Sequence, residues 1–464
     1  MLMNLTIPEI LQATQGKLLQ GNPGVKLGRV STDSRTLQSG DIFIAIKGDN
    51  FDGHDFIKEV APNAVLVIVA KEHIPIRKDT AVIYVKDTVK ALGEIARFYR
   101  RKFKIPVIAI TGSTGKTTTK EMLAKVLSAK FKVLSNVGTQ NNHIGVPLTL
   151  FKLSKEHQVV VLEFGTNRFG DIRWLTHVAE PTVAVYTNIG ESHLEFLKTP
   201  FGVLKEKLEL AKNMPARSKI IINADNAYLA KLKERDLGEK IIRFGIQKKA
   251  DYQASRCELV ENQHMRFVVN GRYPMALRTP VAENIYNALA AISCGRLFRI
   301  SYNDIKIALG QMDFPKGRQA VCKVGDYWFI DDTYNANPMS LRSAISTLSR
   351  LKTSGRKVLV CADMLELGAK SAPLHSAIGN FVAAANIDSV FTFGKFSRFI
   401  SEAARAKNAR LAVRHFTSLP QLHEQLKKYC RPGDAILVKG SRSMHMERTV
   451  DFLNKNLLCA TAHT

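Results

Sequence analysis

The sequence lacks any run long and apolar enough to cross a membrane. Its most apolar stretch, Ala64 to Ala70, has the length of a strand, far short of the roughly eighteen residues a bilayer-spanning helix needs. The opening segment MLMNLTIPEILQATQGK has no basic start, and Glu9 falls inside what would be the apolar part of a leader. No secretory signal peptide is therefore expected, and the expected location is the cytosol. Cysteine is sparse: six residues (257, 294, 322, 361, 430 and 459) with no C-x-x-C pair. That excludes a zinc knot or disulfide framework and fits reduced, mostly buried thiols, none of them a nucleophile. There is no low-complexity tract and no repeat at a solenoid period, which excludes a disordered chain and a repeat array.

What is present is an ordinary globular composition, 45% hydrophobic and 23% charged over 464 residues. That length exceeds what one core supports, so several domains are expected. Lys and Arg number 67 against 41 Asp and Glu, a formal charge of +26. They are spread along the chain without a basic tail or aromatic-interleaved stripe. The surplus reads as a solvated basic surface that also favours an anionic substrate, with no nucleic acid and no membrane insertion expected.

Residues 1–85 give short strand-like runs (Asp41–Ile46, Ala64–Val69, Ala81–Val85) between Gly, Asp and Asn turns, the pattern of a small α/β substrate module. Asp87 caps a helix expected to run to about Lys102, and the apolar run Val107–Ile110 follows Pro106. Strand and helix patterns then alternate through Val159–Glu163, Thr182–Thr187 and Lys219–Asn223, which predicts βαβ units and a mostly parallel sheet. Between Asp251 and Arg278 three short strands form an antiparallel meander, followed by a helix over Asn284–Leu297. A second alternation (Tyr327–Asp331, Lys357–Cys361, Ser389–Phe393, Ala435–Val438) predicts a separate doubly wound, Rossmann-like domain. The expected class is α/β in three domains, 1–85, 86–314 and 315–464.

The motif with the clearest chemistry is Thr111-Gly112-Ser113-Thr114-Gly115-Lys116-Thr117-Thr118, directly after the Val107–Ile110 strand and before a helix expected over 116–129. Glycines let backbone amides close on phosphate oxygens, the helix amino terminus adds its positive end, Lys116 reaches the outer phosphates and Thr117 binds Mg²⁺. The spacing is shorter than the usual phosphate loop, since Ile110 stands where the first glycine would be. On this loop alone the enzyme class stays open.

The loop is similar to that of Mur ligases and folylpolyglutamate synthases. Asp33-Ser34-Arg35, Gly40-Asp41-Ile42-Phe43 and Asp52-Gly53-His54 resemble the uridine-binding domain of Mur ligases, and Asn141-Asn142-x-x-Gly145-x-Pro147 resembles their substrate loop. Asp331-Asp332-Thr333-Tyr334-Asn335-Ala336-Asn337-Pro338, Asp363-Met364-Leu365-Glu366-Leu367-Gly368 and Val438-Lys439-Gly440-Ser441-Arg442 look like segments of the branch that adds D-alanyl-D-alanine. The D-N-P-R motif of the diaminopimelate-adding branch is absent. The resemblance covers nearly the whole chain in order. It departs at Thr114 (usually Asn), Gly138-Thr139 (usually Gly-Asn), Ala362 (usually Gly) and Glu283 (usually His).

The resemblance implies an ATP-dependent amide ligase that joins D-alanyl-D-alanine to UDP-N-acetylmuramoyl-tripeptide through an acyl phosphate, in peptidoglycan synthesis, and that acts as a monomer. Gathering phosphate and carboxylate oxygens calls for metal ions and cationic side chains. Two Mg²⁺ ions are implied, one on Thr117 and Glu163, the other on His193 of Asn188-Ile189-Gly190-Glu191-Ser192-His193-Leu194-Glu195 and on Lys207, carbamylated by CO₂, with Lys205 and Glu209 as nearby alternatives. Lys116, Glu163, His193 and Lys207 would carry catalysis. ATP would lie on Gly112 to Thr118, its adenine edge on Asn284 and Asn287, with Arg318 contacting the nucleotide from the domain junction and Asp332 on the ribose. Ser34, Arg35, Asn141 and Asn142 would bind the UDP-sugar tripeptide, and Asn335, Asn337 and Asp363 the incoming dipeptide. One rival is a folylpolyglutamate-synthase-like glutamate ligase, which would lack the D-S-R module. The other, prompted by the +26 charge, is a non-enzymatic nucleic-acid-associated phosphate-loop protein, betrayed by strongly salt-dependent binding.

Overall fold

The structure is a computed structural model and describes residues 3–458 apart from 49, 74, 75, 238, 239 and 315. Pro315, where the sequence places the start of the third domain, and Cys459 lie outside the described residues. Three sheets organise the chain. The first has five strands in the order Lys17–Gln20, Ala81–Tyr84, Ala64–Val69, Asp41–Ile44, Val30–Ser31. Only its Lys17–Gln20 edge is antiparallel.

The central sheet has nine strands, and its parallel part runs Tyr252–Val260, Ile241–Gly245, Lys219–Asn223, Val183–Tyr186, Val107–Thr111, Val159–Glu163, Val133–Ser135. His264–Val269 and Tyr273–Leu277 complete the expected antiparallel meander at one end. Val107–Thr111 and Val159–Glu163 are buried throughout, as strands covered by helices on both faces must be. Val107–Thr111 lies between Val159–Glu163 and Val183–Tyr186, all three parallel. Their carboxyl ends therefore release the phosphate loop, Glu163 and Thr187-Asn188 side by side at one edge, where ligands bind in open parallel sheets.

The third sheet runs Ala320–Val324, Tyr327–Asp332, Ala435–Lys439, Lys357–Ala362, Ser389–Phe393, Ala412–Phe416. All its pairings are parallel except that of the first strand. Its order sets the ends of three strands, with Asp332, Lys439 and Asp363, next to one another. Helix Thr88–Arg101, capped by Asp87 through the Val89 and Lys90 amides, joins the first two sheets. Lys102 reaches back to Glu9 (2.7 Å) and the Asn4 carbonyl (2.6 Å).

Some elements escape the sequence reading. Helix Ile7–Thr14 begins with a capping box between Thr6 and Glu9 and a proline in its first turn, a signal the sequence does carry. Ala412–Phe416 is an exposed edge strand containing Arg414 and His415, so no apolar run announces it. Of the five described cysteines, Cys294, Cys361 and Cys430 are buried, while Cys257 and Cys322 are exposed. Burial holds the thiols of the first three well above the usual range, which makes them poor nucleophiles.

Candidate active site

The phosphate loop is fastened from outside. The Thr114 amide donates to Asn188 Oδ1 (2.9 Å), and Asn188 Nδ2 returns a bond to Thr114 Oγ1 (2.8 Å). Ser113 N–H donates to the Asn188 carbonyl (3.0 Å), and the Thr187 hydroxyl donates to the Thr114 carbonyl (2.6 Å). Gly112 (φ +154°) and Gly115 (φ +77°) adopt angles L side chains avoid, and a Cβ at Gly112 would lie 1.9 Å from Thr187 Oγ1. The turn can close this tightly only with glycine. Lys116 opens the helix Lys116–Leu127 and rests its ammonium on the Gly112 carbonyl at 2.9 Å. Burial pushes its pKa down, with Glu163 pulling the other way.

Thr117 Oγ1 donates to Glu163 Oε2 at 2.6 Å, and Asn141 Nδ2 donates to Glu163 Oε1 at 2.8 Å. Glu163 is 2% exposed and takes part in no ion pair among the described residues. Its backbone amide is held by Asn136 Oδ1 (2.9 Å), and the buried Lys120 clasps the Asn136 carbonyl (2.6 Å). The sequence offered no reason to single out Lys120 or Asn136. A buried carboxylate with only neutral hydrogen-bond donors is poised for a cation.

His193 Nδ1 meets Glu366 Oε2 at 2.6 Å. That bond crosses from the central to the third domain, alongside one from the Glu195 amide to the Glu366 carbonyl (2.9 Å). The hydrogen bond to His193 holds the Glu366 carboxyl below its ordinary value. Glu366 sits in a segment quoted above only for its resemblance; nothing in its spacing identifies it as the histidine's partner. Lys207, on helix Pro200–Lys212, is 1% exposed and makes no side-chain hydrogen bond or ion pair among the described residues. Burial, then the nearby Lys116, depresses its pKa far below that of a free lysine.

Asn284 and Asn287 open helix Asn284–Leu297 and bond to each other (2.9 Å); Asn287 Oδ1 also accepts from Thr119 (3.1 Å). Across the domain junction Lys439 Nζ pairs with Asp332 Oδ2 (2.6 Å) and donates to the Asn335 carbonyl (2.8 Å). Burial pushes the Asp332 carboxyl up to about 6 despite this cation, and pushes the Lys439 ammonium down. The Arg318 guanidinium lies over the Tyr334 ring, 3.9 Å from its centroid.

One cavity of about 1400 Å³ joins these groups. From the central domain Ser113 to Lys116 and Thr118, Asn141 and Asn142, Glu163, His193, Asn284 and Asn287 line it. From the third domain come Arg318, Asp332, Asn335 and Asn337. Gly112, Thr117 and Lys207 are not part of its lining. Ser34 and Arg35 lie apart from it as well; Arg35 is spent on an exposed ion pair with Asp33 (2.7 Å). Asp363 does not line it either. Its carboxylate, 3% exposed, accepts the backbone amides of Lys395, Phe396 and Ser397 at 2.9, 2.9 and 2.7 Å. The structure thus gives Asp363 the task of fastening a turn, where the sequence suggested a substrate contact. Among the described residues no three His, Cys, Asp or Glu side chains cluster as a metal site.

Residues 26–100 match the Mur ligase family catalytic domain, 110–295 the Mur ligase middle domain and 317–442 the Mur ligase glutamate ligase domain. The chain is similar to UDP-N-acetylmuramoyl-tripeptide--D-alanyl-D-alanine ligase of Bacillus subtilis, 34% identical across 96% of this chain and 97% of that protein. Its structure resembles crystal structure I of MurF from Acinetobacter baumannii, with a TM-score of 0.88 and 32% identity over 98% of this chain and 99% of the other. It also resembles MurF ligase from Thermotoga maritima in complex with ADP, with a TM-score of 0.83 and 28% identity over 92% of this chain and 97% of that one. With this identity sustained from end to end and a phosphate loop, buried glutamate and third-domain cap in one cavity, the chain belongs to the Mur ligase family, in its D-alanyl-D-alanine-adding MurF branch.

Proposed function

We propose that this chain joins D-alanyl-D-alanine to UDP-N-acetylmuramoyl-tripeptide at the expense of ATP, and that the cavity at the domain junction is where it does so. The observation that carries the reading is the Thr117–Glu163 pair (2.6 Å) beside Lys116 at the phosphate loop. The terminal carboxylate of the tripeptide attacks the γ-phosphorus, ADP departs and an acyl phosphate forms. The dipeptide amine then adds to the acyl carbon, and the tetrahedral intermediate expels phosphate to leave the amide. Lys116 and Arg318 offset the negative charge that gathers in the first step.

Glu163, a buried carboxylate with neutral donors, fits a divalent cation better than it fits the ion pair it lacks. Thr117 and Glu163 would hold one Mg²⁺, with phosphate oxygens completing its shell, as is usual where Mg²⁺ is not caged by protein alone. His193 fits a second: Glu366 occupies Nδ1 and fixes the ring, leaving Nε2 for a metal. Such ions supply charge neutralisation on the transferring phosphoryl group. Lys207 would complete the second site after its neutral amine adds to CO₂, giving a carbamate and releasing one proton. Asn284 and Asn287 would meet the adenine, Asp332 the ribose, and Asn141 and Asn142 the tripeptide. Ser34 and Arg35, on the first sheet's domain, would meet the uridine end.

The boundaries near residues 85 and 315 would serve as hinges, with the protein working as a cytoplasmic monomer. Among the described residues no helix is long and apolar enough to cross a membrane. The test is ATP-dependent phosphate release with UDP-N-acetylmuramoyl-tripeptide, with and without D-alanyl-D-alanine, beside a folate plus glutamate control and a Lys116→Ala variant. Turnover needing both peptidoglycan substrates and lost in the variant is expected; turnover with folate and glutamate alone would overturn the reading.

A further inference from the structure

The incoming dipeptide carries a carboxylate that must be recognised at a fixed distance from its reacting amine, and two of the three residues first suspected of this are engaged elsewhere. Asp363 is buried on backbone amides, and a carboxylate would in any case repel another. Asn337 caps helix Pro338–Arg350 through the Ser340 amide (2.9 Å). A cation is needed. Of the four cations that the third domain turns to the cavity, Arg318, Arg342, Lys439 and Arg442, three are accounted for. Lys439 is paired with Asp332 (2.6 Å), and Arg442 lies near Glu447 (3.9 Å). Arg318 lies over the Tyr334 ring at 3.9 Å and within electrostatic reach of Lys116, on the nucleotide's side of the junction in the reading above.

Arg342 has no carboxylate partner among the described residues, and its guanidinium lies 5.2 Å from the Phe381 ring centroid, stiffened by that contact. Leu365 and Leu367 line the same cavity. They flank Glu366, which holds His193. At the other end of the same helix face, Met339 Sδ accepts from Thr114 of the phosphate loop (3.5 Å). Arg342 follows Met339 by three residues, about 4.5 Å of helix rise, while an extended dipeptide spans about 7 Å. A dipeptide with its amine at the phosphate-loop end is therefore long enough to bring its carboxylate to Arg342. The other lysine and arginine side chains of the lining outside the phosphate loop that make no ion pair among the described residues, Lys47 and Arg168, belong to the first and central domains.

Resting on the ligase reading above, we propose that Arg342 is the residue that binds the carboxylate of the incoming D-alanyl-D-alanine and so selects a free dipeptide as the amine substrate. The experiment is steady-state phosphate release at saturating ATP and UDP-sugar tripeptide, varying D-alanyl-D-alanine or D-alanyl-D-alaninamide, for wild type, Arg342→Ala, Arg342→Lys and Arg442→Ala. In the wild type the amide should have a KM on the order of 10–100-fold above that of the acid, the range of a charge-assisted hydrogen bond. Arg342→Ala should raise the KM of the acid by a similar factor, leave that of the amide alone and bring their ratio close to one. Arg342→Lys should fall between. KM for ATP should not move. A wild type indifferent to the amide, an Arg342→Ala enzyme that still discriminates, or discrimination that is lost with Arg442 instead would overturn the assignment. A wild type that turns over neither amine would sink the ligase reading itself.

Discussion

Replacing Lys207 by methionine should make the protein more stable and less active at once. The side chain is 1% exposed, without a hydrogen-bond or ion-pair partner among the described residues, and of nearly the same length as methionine. Burial holds its pKa well below the ordinary 10.5. At neutral pH the unfolded chain therefore binds a proton that the native protein binds poorly, and the native state loses stability by that difference. The penalty is largest at lower pH and fades as pH rises toward 10.5, because stability rises with pH wherever the unfolded state holds more protons. An apolar side chain of matched volume removes the penalty. Comparable replacements of buried ionic groups stabilise by about 1–4 kcal/mol, and each kcal/mol moves the melting temperature of a domain of this size by about 2–4 °C. Calorimetry in CO₂-free buffer should show Lys207→Met melting several degrees above wild type at pH 7, with the gap narrowing at pH 9.5. Added bicarbonate should raise the wild-type transition and leave the variant's unchanged, since only the wild type can form a carbamate. Phosphate release should fall by about 100-fold or more, the scale of losing one electrostatic contact in a transition state. A variant that melts lower at pH 7 would show that Lys207 is stabilised by its surroundings, and a variant with full turnover would remove it from the mechanism.

Glu163→Gln keeps an acceptor for Thr117 but removes the charge, so phosphate release should drop about 100-fold or more with little change in melting temperature; undiminished turnover would show that no cation depends on this carboxylate. Gly93→Ala should cost about 1–3 kcal/mol by overpacking, because the added Cβ would lie 2.4 Å from Trp174 Cζ2. Trp174→Leu in the same chain should restore much of that in urea unfolding, and failure to do so would place the strain elsewhere. The His193–Glu366 contact is at full strength above the ordinary carboxylate value of 4.5 and is lost as pH falls through the lower value Glu366 has in the folded protein. Small-angle scattering should therefore show the third domain loosening on acidification, with Glu366→Gln already loosened at neutral pH. Superimposable curves for variant and wild type would make that contact incidental to docking.

The parallel sheets were legible because strands buried on both faces leave near-continuous apolar runs, and Val159–Glu163 and Ser389–Phe393 appear in the structure with the bounds the sequence suggests. Strands with one wet face, such as Ala412–Phe416, leave no such trace. The phosphate loop was legible for another reason: its glycines, lysine and threonine must occur in one short segment between a strand and a helix. Contacts between segments distant in sequence follow no such rule. Glu366 reaches His193 across 173 positions, and Lys439 reaches Asp332 across 107. Each depends on how two strand ends or two domains come to rest, which no local periodicity encodes. Asp363 shows the opposite failure. An acidic residue at a strand's carboxyl end is a fair candidate for substrate binding, yet here three backbone amides consume it, and only the path of the following turn reveals that.

The polar groups of this cavity satisfy one another in a way that limits what each can do when a ligand arrives. Glu163 is held by Thr117 and Asn141, and Asp332 by Lys439; His193 is held by Glu366 and Lys116 by the Gly112 carbonyl. Such pairs keep the buried charges from being stranded, and an isolated one would destabilise the fold. They also fix geometry in advance, so that exchanging a neutral donor for a cation, or a carbonyl for a phosphate, needs small movements instead of reorganisation. The pairs differ in what breaking them would require. Thr117, Asn141 and Gly112 offer neutral partners that a ligand can replace at little expense. Asp332 and Lys439 form a nearly buried ion pair at the cavity wall, so a ligand must bond to it as it stands. That asymmetry makes the central domain's edge the place where charge is exchanged and the third domain's edge the place where position is read, which is also where Arg342 faces the cavity.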